Sequence, residues 1–253
     1  MTNKIALVTG GTRGIGQAIA NKLREEGATV VVSARNAVAD LHPEHYFIAA
    51  DASKPEDMAR LANEVKERYG RIDILINNSG GLTSPYGGYS SISDEQWLYE
   101  LQLNLMGAIR LDKALLPLMI EQGAGVIVHI SSTAGMYPLV ENMAYATAKS
   151  ALNGYSKALS KEVAGKGVRV LRVSPGGVMT EGMQTFLSQI AAQMGVGVAE
   201  AEAGLLQKIG GVPMGRMATP EEVADLVGFL VSSKAAYITG GNYVIDGGAL
   251  PVL

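Results

Sequence analysis

The sequence predicts an α/β fold, with one doubly wound parallel sheet and helices on both of its faces. Three observations point to it. Short apolar runs alternate with longer segments of helical period along the chain. The runs are short and mostly apolar, as strands buried on both faces tend to be. A glycine-rich turn, Thr9 to Gly16, follows the first run directly and opens the first helical segment, which makes a strand–turn–helix unit.

In chain order, strands are expected at Ile5 to Val8, Val30 to Val32, Tyr46 to Ala49, Ile74 to Ile76, Val126 to Ile130, Val168 to Val173 and Tyr243 to Ile245. Helices are expected at Gly14 to Glu26, Pro55 to Tyr69, Asp94 to Ile120, Ala144 to Ala164 and Pro220 to Ser232. Ser53 precedes Lys54-Pro55-Glu56-Asp57, an acidic first turn with an early proline, which suits a helix start. Thr219 can cap the last helix, with Glu222 closing a capping box. Pro117, late in the long helical pattern, is expected to kink or end it. Right-handed crossovers between parallel strands then give a Rossmann-type sheet. Thr180 to Met217 is rich in Gly, Met, Ala and Gln and weak in strand signals. It reads as a partly helical excursion, a lid at 180–217 on a single catalytic domain spanning 1–253.

The 253 residues carry a formal net charge of −3 and no long run of either sign, which argues against a nucleic-acid surface. There are no cysteines, so disulfides, thiolate nucleophiles and cysteine metal sites are excluded, and a reducing cytoplasm fits. Met1-Thr2-Asn3-Lys4 leads straight into Ile5-Ala6-Leu7-Val8, unlike a signal peptide. No apolar run approaches the ~18 residues of a membrane span. Of the three histidines, His42 and His45 make at most half a metal site, and His129 reads as a strand residue. No metal is expected.

Thr9-Gly10-Gly11-Thr12-Arg13-Gly14-Ile15-Gly16 stands where a dinucleotide pyrophosphate would sit. Free backbone N–H groups and the helix dipole attract the anion there, and glycines allow the close approach. The candidate contacts are Gly10, Thr12, Arg13, Gly14, Ile15 and Gly16.

Tyr145 and Lys149 are spaced i and i+4 in Tyr145-Ala146-Thr147-Ala148-Lys149, so a helix puts them on one face. A phenol of ordinary acidity holds its proton too tightly for easy exchange at neutral pH. A neighbouring ammonium favours the phenolate and suits the phenol to protonate a carbonyl oxygen as hydride arrives at carbon. Ser132 lies just past the strand Val126 to Ile130, at the carboxyl edge where α/β folds place their sites. Its hydroxyl can hydrogen-bond a substrate oxygen there.

With these residues in place, the chain resembles the short-chain dehydrogenase/reductase family over nearly its whole length. In particular it resembles the NADPH-dependent carbonyl reductases of that family, 3-oxoacyl-ACP reductases among them. Asn77-Asn78-Ser79-Gly80 looks like the family's N-N-A-G, with serine for alanine. Ser132 stands thirteen positions before Tyr145, a separation common in the family. Pro175-Gly176-Gly177-Val178-Met179-Thr180 is similar to P-G-x-V-x-T, and Tyr237 to Gly240 and Val244 to Gly248 resemble the C-terminal signature.

The resemblance implies roles for these residues. Tyr145 is the acid/base, and Ser132 orients the substrate carbonyl. Lys149 lowers the tyrosine pKa and binds the nicotinamide ribose. Asn104 holds a water that links Lys149 to solvent. Asp51, with Ala52 beside it, contacts the adenine, and Asn78, Ser79 and Gly80 the adenosine ribose side. Pro175, Gly176, Val178 and Thr180 hold the nicotinamide carboxamide. A homo-oligomer, tetramer or dimer, is also implied. The stretch from Arg35 to Asp51 is shorter than the family's and carries Pro43, leaving little room for a second crossover helix.

Ala34 occupies the end of the second strand, where an acidic residue would bind a ribose 2′-hydroxyl and repel a 2′-phosphate. Arg35 follows it, and Arg13 lies in the glycine turn. Two guanidinium groups suit a phosphate, so NADP(H) is the expected cofactor. The expected substrate is a small molecule carrying a ketone or secondary alcohol. The pocket edges, Leu82 to Tyr86, Tyr137 to Val140 and Met183 to Leu187, are largely apolar and lack a cluster of basic residues. An NAD-dependent alcohol or sugar dehydrogenase on the same scaffold is the alternative.

Overall fold

The computed structural model describes residues 1–85, 88–208 and 210–251. Tyr86, an expected pocket-edge residue, and Ile209, inside the expected lid, lie outside them.

Seven parallel strands form one sheet: β1 (Ile5–Thr9), β2 (Thr29–Ala34), β3 (Tyr46–Ala49), β4 (Ile74–Asn77), β5 (Gly125–Ile130), β6 (Val168–Pro175) and β7 (Asn242–Ile245). Their order is β3-β2-β1-β4-β5-β6-β7. The winding therefore reverses between β1 and β4, as the doubly wound reading requires. Successive side chains on a strand point to opposite faces. Val8, Val30 and Val32 join one buried layer, with Ile19 and Leu23 of α1 (Gly14–Glu25) and Val223, Val227 and Leu230 of α8 (Pro220–Val231). Leu7, Val31, Leu75 and Ile127 join the other. That layer is completed by α2 (Pro55–Tyr69), α4 (Gly107–Gln122) and α5 (Met143–Val163).

The remaining helices are α3 (Asp94–Leu101), α6 (Glu181–Met194) and α7 (Val198–Lys208). Thr219 accepts from Glu222 N and the Glu222 side chain returns to Thr219 N, so the capping box on α8 forms. At α2 the cap position is Lys54, without a side-chain bond, and Ser53 Oγ donates instead to Asp51 Oδ1 at 2.7 Å. No helix bridges β2 and β3, in keeping with the short Arg35 to Asp51 stretch.

One expectation needs correction, the single helix over Asp94 to Ile120. Pro117 does not end its helix, because α4 runs through it to Gln122. Pro117 and Lys113 are both exposed, so water can satisfy the carbonyl that the proline ring leaves without a donor. The long Asp94 to Ile120 segment is instead interrupted by a π turn at Gln102–Met106, between α3 and α4. Thr180 to Met217 is partly helical, as expected, and carries α6 and α7. Its two ends meet, since Val178 and Ala218 form a parallel bridge. No helix among the described residues is long and apolar enough to cross a membrane.

Candidate active site

The carboxyl ends of β1 and β4 are tied together by one side chain. Thr9 Oγ1 accepts from Asn78 N at 3.0 Å and Ser79 N at 2.9 Å. Asn78 Nδ2 donates back to Thr9 O at 2.9 Å and Gly10 O at 3.2 Å. The glycine turn is thus braced from the next strand, and Asn78 spends its amide on that brace. A Cβ on Gly16 would lie 2.1 Å from Gly10 O and 2.5 Å from Asn78 Nδ2, so only glycine fits there. The N-terminus of α1 has Arg13 at the cap position, no side-chain cap and no acid in its first turn. Its first backbone N–H groups are free to receive an anion.

On the other side of the switch point, α5 turns Tyr145 and Lys149 to one face. Lys149 Nζ is buried, donates to Ile130 O at 2.9 Å and lies 5.7 Å from the Tyr145 ring centroid. Tyr145 is half-buried and hydrogen-bonded to Ser132. Ser132 Oγ accepts from Ala134 N at 3.1 Å, so its own O–H is left to donate. Asn104 sits in the π turn, where its Oδ1 accepts from Gly81 N at 2.9 Å and its Nδ2 donates to Gly81 O at 3.0 Å. A Cβ on Gly80 would lie 2.6 Å from Asn104 Oδ1 and 3.1 Å from Lys149 Nζ. Those two side chains therefore meet on one side of Gly80. Asn104, Ser132, Tyr145 and Lys149 converge at the carboxyl edge of β4 and β5.

The electrostatics differ from the simple pairing argument. Burial pushes the Lys149 ammonium down to about 8, against the Glu100 carboxylate, which holds it up. Burial also raises the Tyr145 phenol above its ordinary value; Ser132 lowers it and the Glu100 charge raises it further. The protein's own groups leave the phenol less acidic, because desolvation outweighs the stabilising donors.

The remaining predicted contacts line the same edge. Arg13 and Arg35 are exposed, and the turn joins β2 through Gly11 N to Ser33 O at 3.2 Å. Asp51 Oδ1 accepts from Ser53 N, and Ala52 is buried beside it. Pro175 ends β6, Gly176 N donates to Ile245 O at 3.0 Å, and Val178 is in the bridge to Ala218. Thr180 caps α6 by accepting from Met183 N, and its Cγ2 lies 3.2 Å from where a Cβ on Gly14 would be. Tyr137 and Val140 are exposed at the rim, whereas Leu187, also expected at a pocket edge, is buried. Thr12 is buried in the turn, and Ile15 packs on the core.

Residues 4–191 match the family model described as short chain dehydrogenase. The chain belongs to the short-chain dehydrogenase/reductase family. Oxidoreductase UcpA of Escherichia coli is 34% identical to it, over 98% of this chain and 95% of the relative. The 3-oxoacyl-[acyl-carrier-protein] reductase FabG of Haemophilus influenzae is 35% identical, over 98% of each chain. The solved structure of L-sorbose reductase from Gluconobacter frateurii, complexed with NADPH and L-sorbose, superposes with a TM-score of 0.93 at 32% identity, over 100% of this chain and 98% of that one. The protein is thus an oxidoreductase of this family, on the Rossmann-type sheet its sequence predicts.

This short-chain dehydrogenase also holds groups that the sequence reading missed. Glu100, on α3, is fully buried. Its Oε1 accepts from Thr83 N at 2.6 Å, Thr83 Oγ1 at 3.0 Å and Ser84 N at 2.7 Å, and its Oε2 from Asn104 Nδ2 at 2.7 Å. The signal available was an acid four residues before Asn104 in a helical pattern. A second buried cluster joins Asn77, Asp112, His129, Tyr155 and Ser156.

Proposed function

We propose that the protein is an NADPH-dependent carbonyl reductase acting on ketones, or on secondary alcohols in reverse. The observation that carries this reading is the convergence of Ser132, Tyr145 and Lys149 beside a braced, uncapped helix N-terminus. The cofactor fits the residues present. Gly10, Thr12, Gly14, Ile15 and Gly16 would cradle the pyrophosphate at α1. Arg13 and Arg35 would take the 2′-phosphate, and Asp51, Ala52, Asn78, Ser79 and Gly80 the adenosine. Pro175, Gly176, Val178 and Thr180 would hold the nicotinamide end. Bound NADPH supplies the hydride.

The chain's own groups do the rest. Ser132 donates to the carbonyl oxygen and fixes its place. Tyr145 delivers its proton to that oxygen, and a raised phenol stays protonated at neutral pH, as an acid must. Lys149 binds the ribose with its ammonium, and Asn104 and Gly80 set its approach.

The exposed Tyr137 and Val140 at the rim favour a neutral substrate with an apolar part. A keto sugar is the second substrate class, favoured by the L-sorbose in the structural relative. The excursion at 180–217 is read as a lid. A homo-oligomer, supported by exposed Phe229 on α8 and Val244 on the edge strand β7, and a cytoplasmic location complete the reading. The test is turnover on a panel of neutral ketones and keto sugars with NADPH and with NADH. Tyr145→Phe is expected to keep cofactor binding and to lose at least ~10²-fold in turnover. Near-normal turnover in that variant would overturn the assignment.

A further inference from the structure

We infer that Glu100 is a positioning residue of the reaction, a buried carboxylate that orients Asn104 and sets the proton balance of the Tyr145–Lys149 pair. The inference rests on the reading of Tyr145 and Lys149 as the reacting pair. Its ground is geometric. Four donors and no acceptor face the two oxygens of Glu100: Thr83 N, Thr83 Oγ1, Ser84 N and Asn104 Nδ2. That is the bonding of a carboxylate. An anion with no exposed surface is tolerated only when fully bonded, and its field is weakly screened.

Through these bonds Glu100 joins two parts of the site. It fastens the loop after β4 at Thr83 and Ser84, and it holds the Asn104 amide so that Oδ1 meets Gly81 N and lies on the same side of Gly80 as Lys149 Nζ. The groups facing Lys149 and Tyr145 are few. Among the described residues, α3 presents Glu100, the π turn Asn104, β5 and its following turn the Ile130 carbonyl and Ser132, and α5 the pair itself. Glu100 is the one anion acting on both, and it favours the proton on each.

Removing the charge should therefore release protons from both groups. In Glu100→Gln, the falling limb of ketone reduction, which follows loss of the phenol proton, moves to lower pH. The rising limb of alcohol oxidation, which needs the phenolate, moves the same way. A purely structural role would lower turnover or stability and leave both limbs in place.

The experiment titrates Lys149 Nζ by NMR in ¹³Cε-lysine-labelled protein, with Lys149→Arg giving the assignment, and records both pH profiles. Glu100→Gln is expected to lower the proton affinity of Lys149 about tenfold, and Glu100→Asp by a smaller step. Should the Gln variant fail to fold, Glu100→Asp carries the test, because it draws the charge back from Asn104 by one methylene. Unmoved limbs and an unmoved Lys149 titration in the folded Gln variant, or an Asp variant identical to wild type in both, overturn the proposal. Failure of the reaction reading would show separately, as Tyr145→Phe retaining turnover while the Lys149 titration still moves.

Discussion

His129 Nε2 lies 2.9 Å from Asp112 Oδ2, and neither side chain reaches solvent. The same Asp112 oxygen accepts from Tyr155 OH at 2.9 Å, while Oδ1 accepts from Asn77 Nδ2 at 2.8 Å. His129 Nδ1 faces Ser156 Oγ at 2.9 Å. Four elements, β4, β5, α4 and α5, thus share one carboxylate directly beneath the candidate site. Burial and the Asp112 charge push the Tyr155 phenol far up, so it acts as a donor only. Asp112→Ala would leave three donors buried and unpaired, and a loss of about 3–5 kcal/mol is expected. Tyr155→Phe removes one donor and should cost about 1 kcal/mol. Urea unfolding at neutral pH measures both, and equal losses would show that the network does not centre on Asp112.

Lys149 makes folding depend on pH. Its ammonium is pushed down to about 8 from an ordinary 10.5, chiefly by burial. Below about 8 both folded and unfolded chains hold the proton, and the folded state bears the whole cost, about 3 kcal/mol for a shift of this size. Between about 8 and 10.5 the unfolded chain binds more protons, so stability rises with pH. Lys149→Met should therefore raise the midpoint of unfolding at pH 7 and flatten the rise in alkali. A wild-type stability that falls steadily from pH 8 to 10 would contradict the buried, depressed ammonium.

Much of the fold could be read from the chain because a sheet covered on both faces writes itself as unbroken apolar runs. Val30 to Val32 and Ile74 to Ile76 are such runs, and their boundaries fall within one or two residues of the strands. Thr219 and Glu222 marked a helix start because capping is local. What stayed hidden is non-local. His129 looks like one polar break in a strand, and its partner Asp112 lies on a helix that precedes that strand. Glu100 looks like a solvated helix acid until the loop after β4 folds over it at Thr83 and Ser84. The motif residues were legible individually, whereas the brace from Thr9 to Asn78 and Ser79 required the strand order.

The excursion at 180–217 is anchored at its base, and Met214 N adds a bond to Gly247 O at 3.2 Å. Met179 N donates to Ala218 O at 2.8 Å and Ala218 N to Gly177 O at 3.0 Å. Between those anchors, α6 and α7 bury only a few side chains, Leu187, Ala191 and Ala201 among them. Few buried contacts make for low local stability, and Thr180 against Gly14 couples the base of the excursion to the cofactor turn. Hydrogen exchange in α6 and α7 is expected to slow when NADPH and an alcohol product are added together, with little change in β5 or β6. Unchanged exchange in both helices would remove the lid reading.

Arg13 and Arg35 are expected to select NADPH over NADH by holding its 2′-phosphate. Both are exposed at the end of β2 beside the glycine turn, and no ion pair with a described residue engages either one. Ala34, the last residue of β2, offers no carboxylate to a ribose 2′-hydroxyl and no charge against a phosphate. A charge-assisted bond to phosphate is stronger than a neutral one, so Arg35→Ala should weaken NADPH about ten- to a hundredfold and leave NADH little changed. Adding Ala34→Asp to it should tip preference toward NADH, since the new carboxylate both accepts from the ribose and repels the phosphate. Salt gives an independent check. The contact is exposed and ionic, so raising ionic strength should raise KM for NADPH more steeply than for NADH, and Arg35→Ala should bring the two slopes together. Equal use of both cofactors by the wild type, or an equal effect of Arg35→Ala on both, would set aside the phosphate clamp and favour an NAD-linked dehydrogenase on the same scaffold.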